Sequence, residues 1–188
     1  MSDIETEAKQ SLSSTIKEGN PISFLPSGLA ILAAFALKSA IISDHTYQDR
    51  KPFFSVGIRD RFRTRLEIPV GVQMWAASFG GDWLHGVFRS FVFKVGAKSG
   101  LLRNIDFFSF TYSAGHLVLQ VMAPRWRKDF RKLDRLPILT PDKVWNPVTV
   151  RFWPNNGSAV TWDPTRDLSS QSLQIFSNRW NAPIVTQL

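Results

Sequence analysis

The chain is 188 residues long, and its 44% hydrophobic and 20% charged residues exclude a disordered or low-complexity chain and fit one packed domain. It has no cysteine, which excludes disulfides, thiolate metal sites and a cysteine nucleophile. A formal net charge of +8 favours polyanionic partners, with nucleic acid and anionic surfaces first among them.

In chain order, the first predicted element is a helix from Ser2 to about Lys17. Ser2 and Glu5 stand at capping-box spacing, and Ile4, Ala8, Leu12 and Ile16 recur every four residues on one face. Glu18-Gly19-Asn20-Pro21 ends it. A second helix is expected at Pro26-Ser27-Gly28, with Ser27 as N-cap, and is closed by Ser43-Asp44-His45. Its body is nearly apolar all round, which marks it as central to the fold. The apolar run from Leu29 to Ile42 is shorter than the roughly 18–20 residues a membrane span needs, so a buried core helix is expected and no membrane partner. Over 49–67, Pro52 opens a third helix that carries Phe53, Phe54, Ile58 and Phe62 and runs through about Arg63.

From Pro69 the period changes to two, and Val70–Phe79, Trp83–Val95, Ile105–Tyr112, His116–Met122 and Val148–Trp153 read as strands. Gly80-Gly81-Asp82 predicts a hairpin between the first two, and Ser113-Ala114-Gly115 a tight turn between the next two. Leu168–Ser177 reads as a last helix or strand. Helices first and strands after predict one α+β domain over 1–188. N-terminal helices (1–45) would pack on one face of an antiparallel meander sheet of four to five strands (69–153), followed by a loop-rich tail (154–188). Met1 is followed by an acidic, polar stretch and no leader-like apolar run, so a soluble, cytoplasmic domain is expected.

The residues with metal or acid–base chemistry are scattered. His45, His85 and His116 share no ligand spacing, and surface or hydrogen-bonded roles are expected for them. No nucleophile elbow, Walker loop or dinucleotide fingerprint is present, and the expectation is no cofactor, no metal and no catalytic residue. Glu67 beside Ile68-Pro69 is expected to pair with a neighbouring arginine.

Two basic clusters carry the functional expectation. One is Lys51 with Arg59, Arg61, Arg63 and Arg65. In the other, Arg125, Trp126, Arg127, Lys128, Arg131 and Lys132, the aromatic and the cations interleave, which suits phosphate contact with a stacked base. Trp126, Trp145, Trp153, Trp162 and Trp180 crowd the second half, where packing anchors are the ordinary reading and a stacking platform the functional one.

Several stretches taken together look familiar. Met1-Ser2-Asp3-Ile4-Glu5 is similar to the Trp-Met-Ser-x-Leu/Ile-Glu segment of a bacterial and phage HNH-like endonuclease family. The run from Leu29 to Ala40 resembles that family's Leu-Ala-x-Trp-Ala-x-Lys-Thr-Ala helix. Lys51-Pro52-Phe53-Phe54, Glu67-Ile68-Pro69-x-Gly71, Gln73-Met74-Trp75-x-Ala77, Phe152-Trp153-Pro154 and Trp162-Asp163-Pro164 follow in the family's order. The family's cysteines, nuclease histidines and asparagine lie upstream of the position that matches Met1. The resemblance therefore carries no metal ligand or catalytic residue onto this chain. What it implies is the downstream part of a nuclease-like protein, a non-catalytic nucleic-acid-binding or scaffolding domain that would grip or position DNA or RNA. The competing expectation is an aromatic-rich module for a protein partner or a small apolar ligand, with Phe88, Phe107 and Phe108 on outer sheet faces and no nucleic-acid role.

Overall fold

The computed structural model describes residues 2–46, 51–80, 88–95, 105–125, 148–163 and 167–178. In chain order these form α1 (Ser2–Glu18), β1 (Ile22–Phe24), α2 (Pro26–Thr46), α3 (Val56–Arg65), β2 (Gln73–Phe79), β3 (Phe88–Val95), β4 (Ile105–Ala114), β5 (Leu117–Pro124), β6 (Thr149–Trp153), β7 (Val160–Trp162), β8 (Asp167–Leu168) and α4 (Ser170–Asn178). The expected class is the one observed: α+β, with the N-terminal helices on a largely antiparallel six-stranded sheet.

Helix α1 buries Ile4, Ala8 and Leu12, the predicted stripe. Its Glu5 pairs with Lys38 of α2 at 2.5 Å, and it ends where Gly19 takes a left-handed φ of 68°. Helix α2 starts one residue before the expected cap. Pro26 is its first residue, a position where a missing N–H costs nothing, and Ser27 lies within the first turn. Leu29, Leu32, Ala33, Leu37 and Ala40 of α2 are buried in the main core. By length and composition α2 is also apolar enough to cross a membrane, the one such helix among the described residues.

The strand order is β3-β4-β5-β2-β6, with β8 beside β2 in parallel. Only the β3-β4-β5 part is a meander. The expected hairpin between 70–79 and 83–95 does not form, because both edges of β2 are taken. One edge pairs with β5, Met74 opposite Val121 and Ala76 opposite Leu119, and the other with β6 and β8. Gly80 has a different use from the one expected. Its N–H donates to the Leu168 carbonyl at 3.1 Å, and a Cβ there would stand 2.7 Å from a carboxylate oxygen of Asp167. Glycine at 80 thus admits the close approach of β8. The turn from β4 to β5 falls at Gly115-His116, one residue later than expected. Gly115 has φ +54°, and any side chain there would collide with the Ile16 carbonyl at the end of α1.

One face of the sheet presents Met74, Ala76, Phe108, Phe110, Leu119 and Val121 to the N-terminal helices. The other carries Ala77, Phe79 and Val118 against Leu168 of β8 and Leu173 and Phe176 of α4. The tail expected to be loop-rich therefore supplies β7, β8 and α4, and α4 covers the face opposite α1 and α2. β7 also pairs with β1, Phe24 opposite Val160, and closes a second, two-stranded sheet. Gln120 crosses the α4 face, donating to Thr111 Oγ1 at 3.0 Å and to the Phe176 carbonyl at 3.4 Å. Phe107 and Phe108, expected on outer faces, are both buried: as adjacent strand residues they point to opposite faces, Phe108 into the main core and Phe107 stacked on Phe93 with ring centroids 5.5 Å apart.

Candidate functional site

Helix α3 begins later than Pro52 suggests. Ser55 is its N-cap and accepts a hydrogen bond from the Ile58 N–H at 3.4 Å, while Phe53 and Phe54 precede the helix and are buried. The segment is held from α2, where a buried Asp44 carboxylate oxygen accepts from the Phe54 N–H at 3.0 Å. Phe62 is the helix's buried anchor.

Arginines at every second position of a helix separate into two stripes, about 200° apart at 100° per residue. Arg59 and Arg63 form one and Arg61 and Arg65 the other. Arg61, Arg63 and Arg65 are exposed and Arg59 is half-buried. Arg63 and Arg65 stand in the last turn, where cations complement the helix dipole. The acids beside them hold them loosely. Arg61 Nε lies 3.6 Å from Glu67, the pairing expected for that acid, and an Arg63 guanidinium nitrogen lies 3.7 Å from Asp60. All four side chains are at least half exposed, so each pair contributes no more than about 1 kcal/mol. An Arg59 guanidinium nitrogen sits 3.3 Å from His45 Nδ1; arginine only donates, so that ring nitrogen is the acceptor.

The second basic cluster has one described member. Arg125 has its guanidinium carbon 4.5 Å from the centroid of the Phe53 ring, and its backbone N–H donates to the Asp106 carbonyl at 2.7 Å. Phe53 in turn packs 5.5 Å from Phe54 and from Phe108. That cation is engaged in packing. Trp126, Arg127, Lys128, Arg131 and Lys132 lie outside the described residues, as do His85, Trp145 and Trp180. His116 is hydrogen-bonded as expected, with Nδ1 2.9 Å from the Phe79 carbonyl. Among the described residues no three His, Cys, Asp or Glu side chains come together in a way that could hold a metal ion.

Beside α3 lies a cleft of about 560 Å³. Helix α1 contributes Ile4 and Glu7, and α2 contributes Ala30, Ile31 and Ala34. The last turn of α3 brings Arg63 and Thr64, and the chain leaving it brings Leu66 and Ile68. Trp153, the last residue of β6, completes the lining. Leu66 caps α3 with φ 53° and ψ 27°, donating its N–H to the Phe62 carbonyl at 2.9 Å. The left-handed region is normally filled by glycine or asparagine, so leucine here is strained while it supplies an apolar wall. Sequence reasoning singled out Arg63 and not the cleft. The one local trace of the cleft is Ala30 and Ala34, small residues one turn apart with Ala30 exposed, and α2 carries several other small residues that do not line it.

No protein-family model matches the chain, and no curated protein and no solved structure matches it either.

Proposed function

We propose that this chain is a non-catalytic nucleic-acid-binding domain, with α3 as its phosphate-contacting element. The observation that carries the reading is the state of the α3 arginines. Four stand within seven consecutive residues, three of them exposed, and the adjacent acids Asp60 and Glu67 hold their partners at 3.7 and 3.6 Å respectively. Guanidinium groups held so loosely exchange a weak partner for a phosphate at little cost, and phosphate is matched by their planar fork. The chain's net charge of +8 supplies the long-range attraction. Arg127, Lys128, Arg131 and Lys132 belong to the same reading as further phosphate contacts. The resemblance to the downstream part of HNH-like endonucleases agrees with a DNA or RNA role by association only.

The test is the salt dependence of binding to labelled DNA and RNA. Affinity should fall steeply with salt as counterions return to the phosphates. Replacing Arg59, Arg61, Arg63 and Arg65 together with Ala should flatten the log–log slope by about 1.5 if one stripe meets phosphates and by about three if both do, at about 0.7–0.9 per phosphate contact. An unchanged slope in a folded variant removes α3 from the interface.

The apolar lining of the cleft supports a second reading, a site for a small apolar ligand or a partner's side chain. Binding that survives high salt and is unaffected by the arginine replacements would favour it.

A further inference from the structure

We infer that the cleft beside α3 receives one unstacked nucleobase of a single strand whose phosphates lie along Arg59 and Arg63. The inference rests on the reading of α3 as a phosphate-binding helix and names the kind of nucleic acid.

Arg59 and Arg63 are one stripe of α3, four residues and therefore about 6 Å apart along its axis. That distance suits the step between successive phosphates of an extended strand. The stripe leads into the cleft, because Arg63 is itself on its rim. At about 560 Å³ the cleft lies within the range of small-ligand sites and has room for a base and part of its sugar.

Its lining matches a base in two respects. Ile4, Ile31, Leu66 and Ile68 with Trp153 make apolar and aromatic walls, and a base is a flat aromatic ring that gains by leaving water for such a site. Glu7 stands on the rim with Arg63, so the mouth combines a hydrogen-bond acceptor with a cation. A base edge and its phosphate offer the matching donor and anion, whereas a purely apolar ligand uses neither. The strained Leu66 is a third mark of function, since the chain holds a leucine in a glycine-like conformation at this wall. A base paired within a duplex must first be unpaired and unstacked, at a cost in free energy, so the site favours single strands.

The experiment uses the full chain and three labelled probes at one moderate salt concentration: a DNA single strand, the same strand with abasic sites in place of its bases, and the corresponding duplex. The intact single strand should bind about tenfold or more tighter than the abasic strand, and tighter than the duplex. Ala30→Trp fills the cleft from an exposed position and leaves the arginines untouched. It should bring the intact strand down to the abasic level with the salt slope preserved. Trp153→Leu should do the same in part, and the comparison of probes on the unaltered chain needs no variant to fold. Equal binding of intact and abasic strands with a steep salt slope would overturn the base site and leave the arginine grip standing. Preference for the duplex would overturn it as well. Failure of all three probes to bind would remove both readings.

Discussion

Helix α2 buries nine of its residues, Leu29, Ala33, Leu37 and Ala40 completely, whereas α3 buries Phe62 and exposes three of its four arginines. The two helices follow one another in the chain and are linked by the Asp44 carboxylate and the Phe54 N–H. In α2 nine of 21 side chains are buried against α1, the sheet or the rest of the core, so the helix contributes to stability. In α3 one phenylalanine fixes the helix and its arginines hold little of the structure in place. Side chains that the fold does not use are the ones available to a ligand.

Replacing Leu37 with Ala should have the largest effect, a loss of about 2–5 kcal/mol in chemical denaturation, because it empties a fully buried site. A loss below about 1 kcal/mol would mean that α2 is not the central helix. Asp44→Ala tests the link between the two helices. Its removal leaves the buried Phe54 N–H without that acceptor and should cost about 1–3 kcal/mol. Ser55→Ala should cost about 1 kcal/mol as the N-cap of α3 is lost, with hydrogen exchange rising locally in the first turn. If exchange rises equally in α2, the two helices form one cooperative unit and the contrast between them weakens. The smallest effect is one of pH. Burial raises the Tyr112 hydroxyl above its ordinary pKa of 10.0. The neutral ring is favoured in the fold, so its stabilising contribution is present below pH 10 and lost as pH rises through the raised value. Tyr112→Phe should flatten the decline in stability above pH 10; an identical decline would show that the ring is not the group responsible.

Which parts were legible in the sequence follows from the range of the forces involved. The stripe Ile4, Ala8, Leu12 is a period of one helix and needs nothing else to be read. The alternation in 105–124 likewise declares strands, and the β4–β5 hairpin follows from a short turn. The pairing of β2 was misread because Gly80-Gly81-Asp82 has the composition of a hairpin turn. Gly80 in fact serves β8, which arrives from 167–168, far along the chain. No local pattern reports a close approach from so distant a segment. The arginines of α3 were visible as a cluster, and their division into two stripes follows from the helix that carries them. Arg125 looked like its neighbours in sequence, and only the placement of Phe53 beneath its guanidinium separates it from α3's cations.

By itself, the sequence determined the α+β class, the amphipathic α1, the apolar α2, the basic character of α3 and the strands from 105 to 124, all governed by residues within a turn or a hairpin of one another. The order of the sheet, the cover that α4 provides, and the cleft where Arg63 meets Leu66 and Trp153 were decided only by the tertiary structure. Each joins segments that are far apart in the chain, and what selects such a pairing is the shape and burial of the assembled core, which no single window of sequence contains.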